Sequence, residues 1–126
     1  MMRTVAFVLD IKTVNELNRH EHWRVRAKRA KKQHGLAMLV TASKMPWPWL
    51  WPVTVSLTRL SPSKGLDAHD GLPASQKFIV DGIAEALGVD DADPRITWTY
   101  AQERGPGGSA TNTGYAVRVA IAFEAV

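Results

Sequence analysis

The sequence predicts an α+β fold: a single domain, residues 1–126, with a small mixed sheet and two helices in the order β-α-β-α-β-β. Three observations predict it. A chain of 126 residues with 45% hydrophobic and 22% charged side chains suffices for one core. Four stretches alternate apolar and polar residues at period two, the pattern of strands. Two stretches step by three and four, the pattern of helices.

The first strand is "RTVAFVLDI", which sets Val5, Phe7, Leu9 and Ile11 on one face. Asn15 and Asn18 mark a loop, and a helix is expected from about Glu21. Trp23, Ala27, Ala30, His34, Ala37 and Met38 make its apolar stripe, with His34 as a partly buried core histidine. Gly35 costs about 1 kcal/mol relative to alanine in mid-helix, so it is the expected break point. "MPWPWLWP" follows, where Pro46, Pro48 and Pro52 argue against both a helix and a central strand. Its three tryptophans are expected to cover the core or meet a second subunit, with base stacking as the functional alternative.

"VTVSLTRL" alternates strictly, placing Val53, Val55, Leu57 and then Arg59 on one side. The second helix is expected over 73–87, with Pro73 in its first turn and Gly88 just past its end. Gln76, Ile79, Val80, Ile83, Ala86 and Leu87 form its buried side, while Lys77, Asp81 and Glu85 share another face. "VDDADP" is a polar turn. "RITWTYAQER" and "YAVRVAIAFEAV" are strands, expected to pair as a hairpin across the long tip "GPGGSATNTG".

Composition bounds the function. No cysteine is present, which excludes disulfides, thiolate metal sites and a cysteine nucleophile, and suits a reducing compartment. The apolar run from Val5 to Leu9 is too short for a signal segment or a membrane span, so a cytoplasmic protein is expected. The net charge of +4 is local. Residues 19–32 carry seven basic side chains (Arg19, Arg24, Arg26, Lys28, Arg29, Lys31 and Lys32) against one acid, Glu21. The rest of the chain has nine basic and eleven acidic residues. Such a stripe is the electrostatic footprint of a polyanion binder.

The candidate chemistry is acidic. Asp67 and Asp70 precede the second helix, and Asp90, Asp91 and Asp93 follow it. Hard divalent cations take carboxylate oxygens, and magnesium commonly takes one or two plus water and substrate phosphate. Clustered aspartates on a basic protein therefore suit phosphodiester hydrolysis, with cations holding the backbone. Aspartates at helix ends also serve as caps and turn formers, and Asp70 sits where it can cap the helix. His20 and His22, two apart, do not share a helix face, which argues against zinc. "GPGG" lacks the strand–loop–helix context of a phosphate loop.

"LNRHEHWRVRAKRAKK", "VTVSLTRLSPSKGLDAHDGLPASQKFIVDGIAEALGVDDADPRITW" and "YAQERG", in this order, cover most of the chain. Together they resemble the RusA-type Holliday junction resolvases, in particular the short RusA-like endodeoxyribonucleases of phages and prophages. The family pattern is Asp-x-Asp-Asn-Leu, then a lysine and an aspartate four apart, then paired aspartates about ten residues later. Here Lys77 and Asp81 are four apart, and Asp91 follows Asp81 by ten. Two positions depart: the first motif reads Asp67-Ala68-His69-Asp70, one residue longer, and Gly71 replaces its asparagine.

The resemblance implies a RusA-like fold and a homodimeric, Mg2+-dependent endonuclease, with Mn2+ as an alternative ion, that nicks branched DNA. Asp67, Asp70, Lys77 and Asp91 would be catalytic, and Asp67, Asp70, Asp90 and Asp91 the metal ligands. Arg24, Arg26, Lys28, Arg29, Lys31 and Lys32 would hold the DNA backbone. Two alternatives stand beside it: a junction-binding protein of the same fold with impaired catalysis, and an interaction protein assembled through the tryptophan–proline segment. A helix over 73–87 would be roughly 22 Å long, which separates the two acidic clusters. A shared metal therefore requires residues 89–93 to turn back along the helix, or a second subunit.

Overall fold

The computed structural model describes residues 1–17, 20–62, 65–66, 68–104 and 114–126. The elements are β1 (Met2–Leu9), α1 (Trp23–Lys44), β2 (Trp49–Ser61), α2 (Gly71–Ser75), α3 (Lys77–Leu87), β3 (Ile96–Arg104) and β4 (Ala116–Ala125). The four strands form one mixed sheet in the order β1-β4-β2-β3. β4 is antiparallel to β1 and to β2, while β3 runs parallel to β2. The carboxyl ends of β1, β2 and β3 therefore lie at the same end of the sheet.

The period-two pattern becomes two apolar rows across the sheet, followed by a mixed one. Val5, Ile121, Val55 and Trp98 share one register, and Phe7, Val119, Leu57 and Tyr100 the next. Ile79, Ile83 and Leu87 of α3 belong to the same core. Truncating a residue as enclosed as Ile83 to alanine costs about 2–5 kcal/mol. The row at the carboxyl end is different: Leu9 and Val117 are joined there by Arg59 and Gln102.

Several expectations change. β3 and β4 are not a hairpin; β2 lies between them. β4 is central because its inward residues Val117, Val119, Ile121 and Phe123 are all buried and its other face carries Ala116, Ala120 and Ala122, small enough for either neighbour. β3 has only partly buried Trp98 and Tyr100 beside Ile96, which suits an edge. The tip 105–113 lies outside the described residues.

The tryptophan–proline segment is partly strand, since β2 begins at Trp49 and is central. Pro52 is accommodated because the β4 register breaks between Leu50 and Thr54, and the β3 ladder starts only at Val53. No ladder bond is asked of its missing N–H. The peptides preceding Pro48 and Pro52 are cis. Trp49 packs edge-to-face on Trp47 and on Trp51, and the Arg95 guanidinium lies 4.6 Å from the Trp51 ring centroid. Trp47 itself is 82% exposed.

α1 runs through Gly35 without a break for 22 residues. Its second half is held by α3: a Cβ added at Gly82 would lie 2.4 Å from the His34 carbonyl oxygen, so the two helices cross at backbone distance. Of the predicted stripe only Ala37 is buried; Gln33 and Thr41 complete the buried line, and Trp23 is 68% exposed. Half-buried His34 meets Glu85 of α3. Gln33 Oε1 and Thr41 Oγ1 are buried without a hydrogen-bond partner, each at a cost of about 1–3 kcal/mol.

The second helix is two helices. α2 ends at Ser75, and α3 starts at Lys77 after the fully buried Gln76. α3 ends as its sequence implies, with Gly88 in the left-handed region at φ 80°. Among the described residues no helix is long and apolar enough to cross a membrane.

Candidate functional site

The carboxyl end of the parallel strands carries Arg59 and Gln102 and leads through the loop after β2 toward Asp70. In α/β sheets this is where ligands bind, because the loops leaving the strands converge there. Arg59 is a buried arginine at 5% exposure. Its Nε donates to Thr13 Oγ1 at 3.1 Å, its Nη1 has no partner, and burial holds its pKa below the usual arginine value. Gln102, its neighbour in the register, clamps the loop ahead of α2. The Leu66 N–H donates to Gln102 Oε1 at 2.8 Å, and Gln102 Nε2 donates to the Leu66 carbonyl at 2.6 Å. A Cβ at Gly65 would lie 2.8 Å from Gln102 Oε1, so a larger residue there would push aside the end of the Gln102 side chain that makes the clamp.

That clamp leads into Asp70. Asp70 occupies the N-cap position of α2, and its backbone carbonyl accepts the Ala74 N–H at 3.1 Å. The side chain does not cap: with φ −118° and ψ −59° the residue is outside the extended conformation that swings a cap over the first turn. Its carboxylate stays exposed. Asp67 lies outside the described residues. Lys77, exposed, opens α3 one turn beyond α2, and Asp81 follows on the same helix.

The second acidic cluster turns back. Trp98 Nε1 donates to the Asp91 carbonyl at 2.9 Å, which fixes the turn against β3. The Asp91 carboxyl is held above the usual range, first by a hydrogen bond shared with Asp90, then by burial, then by the charge of Asp81. Asp90 is held below it, first by accepting the Ala92 N–H at 2.8 Å and then by that shared bond with Asp91. The two neighbouring carboxyls are thus pushed apart in acidity, Asp91 upward and Asp90 downward. Burial, and then the field of Asp91, raises the Tyr100 phenol. Asp93 serves structure instead: bonded to the Arg95 guanidinium and backbone N–H, it titrates at about 2.

Asp91 therefore lies within electrostatic range of Asp81 and Tyr100. Among the described residues, no three His, Asp or Glu side chains are grouped closely enough to hold a metal ion.

α1 supplies the positive charge. Residues 23–28 are exposed on every side, so the first turns carry Arg24, Arg26 and Lys28 clear of the core. His22 begins the helix by accepting the Arg24 N–H on Nδ1 at 3.1 Å. Arg29 differs from its neighbours: its Nε donates to Glu16 at 2.8 Å, and Nη2 bonds both Glu16 and Glu21. Those acids hold its charge more firmly than usual and tie α1 to the preceding loop. Arg26 lies 3.8 Å from Glu16 and over the Phe78 ring. Lys28, Lys31 and Lys32 have no acidic partner among the described residues.

Sequence reasoning did not single out Gln102, Glu16 or Gln33. Gln102 and Glu16 act on residues 36 and 13 positions away, so no local pattern marks them. The burial of Arg59 had a signal, its place in the inward register of β2. No protein-family model matches the chain, and no curated protein matches it.

Proposed function

We propose that this protein is a metal-dependent endodeoxyribonuclease resembling RusA that nicks branched DNA by phosphodiester hydrolysis. The observation that carries the reading is the Asp90–Asp91 pair, whose acidities are pushed apart and which lies within electrostatic range of Asp81 on α3. Perturbed carboxylates of this kind accompany sites of charge chemistry. The donors suit magnesium: all are carboxylate oxygens, and two, with water and a substrate phosphate, are sufficient. Asp90 and Asp91 would hold the ion, and Asp67 and Asp70 would join it from a second subunit, since no three such side chains are grouped among the described residues of one chain. When bound, it supplies Lewis acidity and activation of water.

The remaining steps belong to the chain itself. Lys77 offsets charge developing on the phosphate in the transition state. Arg24, Arg26, Lys28, Lys31 and Lys32 neutralise the DNA backbone, and Arg29, held by two glutamates, positions the helix that presents them. A homodimer places two such sites on the two strands to be nicked. A cytoplasmic location suits this substrate and the cysteine-free composition.

A synthetic four-way junction tests the proposal. The expected outcome is nicking that requires Mg2+ or Mn2+. Asp70→Asn and Asp91→Asn should abolish it without loss of binding, and Lys77→Ala should slow it by about 100-fold. The second reading, a junction binder with impaired catalysis, is favoured by the absence of a three-ligand group among the described residues. Binding without cleavage, unchanged in both aspartate variants, would establish it.

A further inference from the structure

A cavity of about 530 Å³ lies between the residues that follow β1 and the first half of α1. We propose that it binds one nucleotide unit: a base whose hydrogen-bonding edge is unpaired, together with its phosphate. The proposal rests on the branched-DNA reading: a base at a branch point has lost a stacking neighbour and leaves its pair most readily, and the cavity would take it once extruded.

The volume lies within the range of small-ligand sites, which are mostly apolar with a few placed polar groups. Ile11 and Val25 line the cavity as apolar wall, and Lys12, Lys28 and Lys32 surround it. The Lys12 ammonium lies 4.6 Å from the Tyr115 ring centroid, and no acidic side chain pairs with any of the three lysines among the described residues. Asp10 is the one acid of the lining among the described residues, and Arg29, also lining it, is already neutralised by Glu16 and Glu21. The unspent charge is therefore cationic and suits a phosphate.

Gln33 supplies the independent observation. It lines the same cavity at 3% exposure, and its Oε1 is buried without a hydrogen-bond partner. A buried carbonyl oxygen in a native fold calls for a donor. Each of the four DNA bases carries an N–H on its pairing edge, and that donor is free only when the base is out of the duplex. An inorganic anion would satisfy the lysines and leave Gln33 unpaired. A nucleotide satisfies both once the Gln33 amide turns its shielded Oε1 toward the cavity. The same unit has two sources, a free mononucleotide or an unpaired nucleotide of DNA.

The test is binding, measured in EDTA on the full chain, so that cleavage plays no part. The Gln33 side-chain amide signal is followed by NMR during titration with each of the four deoxynucleoside monophosphates and with inorganic phosphate. A duplex with one unpaired nucleotide and the same duplex fully paired complete the series. We expect a saturable shift of the Gln33 amide with the unpaired-nucleotide duplex and with at least one mononucleotide. Gln33→Leu should weaken both by about fivefold and leave affinity for the paired duplex unchanged, as loss of one hydrogen bond predicts. Gln33→Met is the second variant should leucine disturb the fold. A mononucleotide shift without preference for the unpaired duplex assigns the site to free nucleotides. The proposal falls if no nucleotide moves the Gln33 signal, if phosphate alone reproduces the shift, or if both Gln33 variants bind as the parent does. Failure of junction nicking with these shifts intact would remove the nuclease reading and leave the nucleotide site.

Discussion

At the scale of single residues, the Asp90–Asp91 pair is the most informative feature. Its arrangement is unfavourable in isolation, since two adjacent carboxyls lie in the field of a third acid, Asp81. Asp91 has its folded pKa raised above the ordinary 3.8, so the folded state binds that proton more tightly than the unfolded chain. The stability this contributes is present at low pH and lost as pH rises through the folded pKa. Asp91→Asn should therefore raise the melting temperature at neutral pH, and the gain should vanish below about pH 3.8. Thermal melts of both proteins across that range decide it; an unchanged or lower melting temperature at neutral pH would mean that the pair is not under strain. Asp93 has the opposite sign. Its Arg95 bonds hold it down to about 2, so its contribution persists at neutral pH and is lost only as pH falls from about 3.8 toward 2.

At the scale of elements, two glycines with the same helix cost have opposite roles. Gly35 has nothing within 4 Å of an added Cβ, so Gly35→Ala should stabilise by about 1 kcal/mol through helix propensity alone. Gly82 faces the His34 carbonyl at 2.4 Å and Ala37 Cβ at 3.0 Å, so Gly82→Ala must push α1 and α3 apart. A net loss of about 1–3 kcal/mol is expected from overpacking. Urea unfolding of the two variants side by side is the measurement. Equal effects would refute the close crossing. The sequence does not separate the two positions, because both are glycines within helical patterns and the difference is the neighbouring helix. Gln76 shows the same limit: it lies in the inward pattern of the predicted helix, yet it is the point where that helix divides.

At the scale of the molecule, the charge is arranged in space much as it is along the chain. The basic turns of α1 stand clear of the core, and the acids lie in the loops flanking α2 and α3. DNA affinity should therefore depend steeply on salt. Lys28→Glu and Lys31→Glu, neither with an acidic partner among the described residues, should each reduce the log–log slope by about one. A flat response would favour the interaction-protein alternative. The α+β class, the strand faces, the end of α3 at Gly88 and the basic helix were all legible from residue order, because period, capping and charge density are local properties. Strand order was not, and the hairpin expected for β3 and β4 gave way to a sheet in which β2 separates them. Pairing partners are chosen by which faces can be buried together, and that is a property of the whole set of strands. The same reason applies to the candidate site. The sequence by itself determined which acids and cations are present. Only the tertiary structure decided that Gln102 anchors the Asp70 loop, that Arg29 is committed to Glu16 and Glu21, and that Asp91 turns back toward Asp81. Each of those contacts joins segments that only the packed fold brings together.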